Sequence, residues 1–151
     1  VIILSNDDVA VVPDAVARLH QAFDSGAGAL FAWRHTFTQK LVHPLKDIRS
    51  GQKDGGVDLV AFRPGVWKKH REEFPDFILG CEAWDYSYRT LIPELPHGRE
   101  MSGLIYHETH DPVWRKMEVR TTNPGQKFNR TLARNFFNRR GECDAGIPKL
   151  D

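Results

Sequence analysis

An apolar run, Val1-Ile2-Ile3-Leu4, breaks off at Ser5-Asn6-Asp7-Asp8 and gives way after a second apolar patch to Pro13 and a helical pattern. A short continuous apolar run rich in β-branched residues predicts a buried strand bounded by polar turn residues. Pro13 suits the first turn of a helix, where its missing N–H leaves no bond unmade. Val16, Leu19, Ala22 and Phe23, at three- and four-residue spacing, predict an amphipathic helix that ends near Ser25-Gly26. SNDD reads in two ways. Asn and Asp bond their own backbone, so the stretch can be a strand end and nothing more. Open α/β sheets also place ligands just outside the carboxyl ends of their strands, where acidic side chains can hold a cation against phosphates.

The same alternation continues along the chain. Gly28–Phe37 (GALFAWRHTF) predicts a second strand, and a polar stretch from Gln39 to Gly56, containing SGQKDGG, predicts a long loop of the kind that serves as a lid. VDLVAFRP predicts a third strand stopped by Pro64, and PGVWKKHREEF a short helix. Trp84, Tyr88 and Leu91 share one helical stripe, SGLIYHETH predicts a fourth strand, and Phe128, Leu132 and Phe136 at i, i+4, i+8 predict a terminal helix that packs that face. Alternating strand and helix signals favour an α/β layer architecture, with residues 1–151 as a single domain.

Composition excludes several function classes. No segment approaches the roughly 20 apolar residues of a membrane span, and no secretory leader pattern opens the sequence, so a cytoplasmic chain without a membrane span is expected. Cys81 and Cys143 are far apart and form no CxxC, which argues against a disulfide scaffold or a zinc ribbon. With 21 basic and 20 acidic residues the net charge is +1, so no global field points to nucleic acid. The basic excess is local: Arg120, Lys127, Arg130, Arg134, Arg139 and Arg140 gather near the carboxy terminus, a pattern that a solvated helix face also explains.

Two further polar clusters carry chemistry. In GCEAWDYSYR, a helix puts Glu82, Asp85 and Arg89 on one face. Asp85 and Arg89 can be a simple i, i+4 pair, whereas Glu82, beside Gly80-Cys81 and Trp84, has the apolar setting that raises a carboxylate toward general-base duty. In HETHD, His107 and His110 have HxxH spacing at a strand end, and neutral imidazole is a common metal ligand.

Taken in order, SNDD, GCEAWDYSYR and HETH resemble the nucleotide-sugar-dependent glycosyltransferases of the GT-A fold, particularly those of family 2 type. There an apolar strand ends in a DxD-type motif ahead of a helix that opens with proline, as in VIILSNDDVAVVPDAVARL. The resemblance implies a partial GT-A-like α/β fold, a mixed sheet flanked by helices, over residues 1–110, followed by a carboxy-terminal loop and amphipathic helix over 111–151. It puts Asp7 on the metal-holding carboxylate and His107 on the later metal-ligating His, for Mn²⁺ or Mg²⁺, with Asp8 beside them at the substrate. Glu82 then stands at the leading acid of the Gly-Glu-Asp-x-Asp pattern, as catalytic base, with Asp85 as the second catalytic acid and Arg89 on the substrate-binding Arg; Trp84 would offer a flat face to a sugar. The chain departs from the pattern at Ser5, where the first DxD acid stands, and at Ala83, the second acid of the later motif. The implied partners are a nucleotide-sugar donor, a carbohydrate or other hydroxyl acceptor, and a segment supplying the amino-terminal nucleotide-binding half, for which this sequence has no counterpart. Two other readings stay open: a non-catalytic remnant of the same fold, and a metal-dependent phosphoesterase or nuclease with Asp8 as a second metal-site acid.

Overall fold

The computed structural model describes residues 1–6, 9–37, 51–77, 83–108 and 122–141, side chains at positions 54 and 55 excepted. Its strands are β1 (Ile2–Ser5), β2 (Ala10–Val11), β3 (Ala29–Phe37), β4 (Gln52–Phe62) and β5 (Gly98–Glu108). Its helices are α1 (Ala15–Asp24), α2 (Pro64–His70), α3 (Trp84–Leu91) and α4 (Pro124–Arg139), with 3₁₀ turns at Arg71–Glu73 and Ile92–Glu94. The chain is a mixed α/β fold.

The five strands form one mixed sheet in the order β1-β4-β3-β5-β2. β3 is parallel to β5, and every other neighbouring pair is antiparallel. Each face buries its own apolar set. On one, Ala15, Leu19 and Phe23 of α1 cover Leu30, Ala32, Leu59, Ala61, Leu104 and Ile105. On the other, Ala29, Phe31, Val60 and Phe62 meet Phe74, α3 and the turn at Ile92–Glu94, with Phe136 of α4 at the margin. The alternation along β3 and β4 delivers successive residues to opposite layers, as the pleat requires.

β1 and β2 are near neighbours in sequence yet lie at opposite edges of the sheet. Five residue steps separate Ser5 from Ala10, a reach of at most about 18 Å. Four strand spacings in a flat sheet come to about 19 Å. A flat sheet would strain this short connection, and the sheet curls.

Three expectations from sequence need correction. The stretch expected to be loop as far as Gly56 is strand from Gln52, with Thr36 opposite Gln52 and His35 opposite Lys53. Its glycines give room to side chains of β3: a Cβ at Gly51 would meet the Phe37 ring at 2.1 Å, and one at Gly56 the Arg34 guanidinium at 2.5 Å. The proposed lid is thereby shortened to a segment, 39–50, that lies outside the described residues. The fourth strand begins at Gly98 rather than Ser102, because β5 runs the length of β3 as its parallel partner. The terminal helix is capped by Asn123, whose Oδ1 accepts from the N–H groups of Gly125 and Gln126 at 2.9 and 3.2 Å, ahead of Pro124. It buries a different face, however. Gln126, Asn129, Arg130, Ala133 and Phe137 turn inward, while Phe128 is 49% exposed. The aromatic pairing of Phe137 with Tyr86 of α3, 5.1 Å between ring centroids, sets that rotation.

The start of β5 is tightly built. A Cβ at Gly98 would stand 1.7 Å from the Ile92 carbonyl oxygen, a backbone atom that cannot swing aside. Gly98→Ala is therefore expected to destabilise the fold at or beyond the upper end of the usual overpacking range, about 3 kcal/mol, read as a fall in the urea midpoint with little change in slope.

Candidate functional site

β3 carries a bulge at Trp33-Arg34, where its register against both neighbours shifts. Bulges break the two-residue alternation and re-aim side chains. Trp33 packs with the layer that contains α3, and Arg34 follows it toward the same layer instead of crossing to the α1 side. Its guanidinium passes over Gly56, where the lack of a side chain leaves space, and Nη1 reaches Asp58 Oδ2 at 3.1 Å.

Asp58 is 2% exposed, so its carboxylate needs compensation. Arg34 supplies charge on one oxygen, and Asn6 Nδ2 donates to the other, Oδ1, at 2.7 Å. The Asn6 backbone N–H also donates to the Asp58 carbonyl at 3.0 Å, just past the end of β1. Asn6 is the second residue of SNDD, so the end of the opening strand is fixed by a buried acid 52 positions away.

Asp85 lies in the first turn of α3, where Oδ1 accepts from the Tyr86 backbone N–H at 2.8 Å. Burial raises its pKa. The Tyr86 N–H, the charges of Arg34 and Arg89 and the Val57 backbone N–H oppose that rise without cancelling it. A carboxyl pushed upward by desolvation while facing two guanidinium groups has the environment of a proton acceptor in catalysis. Ala83, directly before the helix, adopts a left-handed backbone with φ 75°. That conformation is uncommon for residues other than Gly, Asn and Asp, and it persists only where the surroundings impose it.

Arg89 lies 4.7 Å from the Tyr86 ring centroid and 5.6 Å from that of Trp33. Lys53 stands 4.1 Å from the same Trp33 centroid, and Trp33 Nε1 donates to Glu100 at 2.9 Å. The structure thus brings Asn6, Arg34, Asp58, Asp85 and Arg89 into one connected group, bordered by Trp33 and Lys53. Sequence reasoning found Asp85, Arg89 and the SNDD corner. It missed Arg34 and Asp58, which sit inside strands, and their signal was only the presence of charge in otherwise apolar runs.

The remaining expected residues divide. Trp84 is 3% exposed and packs edge-on against Tyr88, 5.7 Å between centroids, so its rings fill the core and offer no face to a sugar; the half-exposed tryptophan of this region is Trp33. His107 lies on β5 opposite Thr36, with Nδ1 buried. Asp7, Asp8, Glu82 and His110 lie outside the described residues. Among the described residues no group of three or more His, Cys, Asp or Glu side chains gathers to hold a metal ion, so any cation site here depends on acids beyond them. Among them, too, no helix is long and apolar enough to cross a membrane.

The raised pKa of Asp85 has a stability consequence of definite sign. The folded state keeps the proton at a pH where the unfolded chain has lost it, so this group costs stability as pH rises above the unfolded value through the folded one. Asp85→Asn is expected to raise the thermal midpoint at pH 7 and to lose that advantage at pH 3, measured by calorimetry at both pH values. Equal shifts at the two pH values would contradict it.

No family model, curated protein or solved structure matches the chain.

Proposed function

We propose that the chain is the catalytic part of a metal-dependent glycosyltransferase of GT-A type, which moves a sugar from a nucleotide-sugar donor to an acceptor hydroxyl. The observation that carries this reading is the Asn6–Asp58–Arg34 chain of contacts. It joins the end of the SNDD strand to the charge environment of Asp85 at the head of α3, so that residues of two motifs, Asn6 and Asp85, 79 positions apart, share one site. A turn that served only to reverse the chain would need no such connection.

In this reading the acceptor oxygen attacks the anomeric carbon, its proton passes to Glu82, and the nucleoside diphosphate departs. Asp85 orients the acceptor or the base from its buried position, and Arg89 holds substrate at the rim. Asp7 and His107 would hold Mn²⁺ or Mg²⁺, which supplies charge stabilisation to the departing diphosphate. Along the outer edge of β1, Val1 and Ile3 are 51% and 46% exposed, a surface onto which further strands of a nucleotide-binding half could pair.

Thermal unfolding with a panel of nucleoside diphosphates, with and without Mn²⁺, tests the proposal. Mn²⁺-dependent stabilisation that Asp7→Asn abolishes is expected, at about 2.7 kcal/mol when ligand is 100 times its Kd. Absence of any shift across the panel would count against it. With a donor identified, Glu82→Gln should lower turnover by about 10² to 10⁴ and leave donor binding intact. Unchanged turnover in Glu82→Gln with loss in Asp85→Asn would move the proton acceptor to Asp85.

A further inference from the structure

On the α1 side of the sheet, apart from the site above, His35 is 9% exposed and both its ring nitrogens are engaged. Nδ1 lies 3.3 Å from the Gly51 carbonyl oxygen and Nε2 2.8 Å from Ser102 Oγ, while the Gly103 backbone N–H donates to Nε2 at 3.3 Å. These contacts fix the tautomer. A carbonyl oxygen can only accept, so Nδ1 carries the proton; a backbone N–H can only donate, so Nε2 presents its lone pair. The Ser102 hydroxyl therefore donates to a neutral imidazole.

The surrounding backbone holds that geometry. Gly103 has φ 66°, and Arg18 of α1 donates to the Gly103 carbonyl at 2.6 Å and to the Ser102 carbonyl at 2.9 Å. Ser102 is exposed, so a reagent can reach it. A hydroxyl within hydrogen-bond reach of a base that a third group orients is the arrangement that activates serine nucleophiles.

We propose that Ser102 is an activated nucleophile, with His35 its general base and the Gly51 carbonyl the group that orients the base, and that small activated esters acylate it. In that step Ser102 Oγ bonds to the acyl carbon as His35 Nε2 takes the hydroxyl proton. The ester C–O bond then breaks, the departing oxygen receives the proton from the imidazolium, and the acyl group stays on Ser102. The Gly103 N–H, which could have met a developing oxyanion, is committed to His35. Acylation and deacylation both develop an oxyanion, so without that donor the site reacts with activated esters, whose good leaving group offsets the loss, and turns over slowly.

The experiment treats the whole chain with p-nitrophenyl acetate and maps acetylation by peptide mass spectrometry. Ser102 is expected to be acetylated about 10² to 10⁴ times faster than Ser25, an exposed serine whose Oγ neighbours Arg99 rather than an imidazole. His35→Gln, which keeps an acceptor near the Nε2 position without its basicity, should remove the excess. If that variant does not fold, the pH profile of the wild-type chain decides. Assistance by a neutral imidazole makes the rate level off once the ring is deprotonated, whereas an unassisted hydroxyl keeps gaining rate with hydroxide. Among the described residues the charged and titratable groups facing His35 are Arg18 on α1 and Tyr106 opposite it on β5, while Lys53, opposite it on β4, turns its ammonium to the Trp33 ring. Equal rates at Ser102 and Ser25, an unchanged rate in a folded His35→Gln, or a rate still rising with hydroxide would overturn the proposal.

Discussion

A carboxylate buried on β4, between β1 and β3, dictates much of what surrounds it. Asp58 could not sit at 2% exposure without compensation, and the fold arranges that compensation from both of its neighbouring strands. β3 must bulge so that Arg34 can turn back toward it, β4 must lack a side chain at Gly56 so that the guanidinium can pass, and β1 must end in a residue able to donate. Removing one partner of such a pair leaves an uncompensated charge, a loss of several kcal/mol, whereas an apolar replacement of both can be neutral.

How much of this was legible from sequence follows from which interactions are local. α1 and α3 are written in apolar periodicity, and Leu19, Phe23, Tyr88 and Leu91 are buried as it demands, although Val16 is exposed. β1, expected to be buried from its continuous apolar run, is an edge strand with Val1 and Ile3 about half exposed, since a run of apolar residues does not tell a central strand from an edge. β4 was cut short because Gly51 and Gly56 read as loop residues. Their role is to make room for Phe37 and Arg34, and that depends on which strand lies alongside. The two-residue β2 has no periodicity to read. The rotation of the terminal helix was only partly legible: Phe136 packs against the core as its spacing suggests, but Phe128 is exposed and Gln126, Asn129 and Arg130 are buried, and apolar spacing does not report buried polar residues.

The site divides along the same line. Asp85 and Arg89 sit one helical turn apart, and that proximity is visible in any helix. Arg34, Asp58 and Asn6 come together only through strand pairing and a bulge, and neither can be inferred from spacing. Position 83 links the two levels. The sequence pattern that the chain resembles has an acid there, and Asp tolerates a left-handed backbone better than alanine does. The structure gives Ala83 that backbone all the same. The head of α3 thus adopts this geometry without the residue best suited to it, two positions before the buried Asp85.

The wide separation of β1 and β2 within the sheet carries a kinetic meaning. β1 pairs with a strand some 60 positions later, Ile2 opposite Phe62, and β2 with one 96 positions later, Ala10 opposite Tyr106. Contacts so distant along the chain close large loops, and the entropy of closing them must be overcome before the pairing stabilises anything. β3 and β4 can associate earlier, over separations of only 33 positions at Ala29–Phe62 and 16 at Thr36–Gln52. The VIIL segment therefore stays without its strand partner until β4 is complete, and β2 waits longer still, for β5. Among the strands, β1 and β2 would be the last to gain protection of their amides from exchange with solvent and the first to lose it.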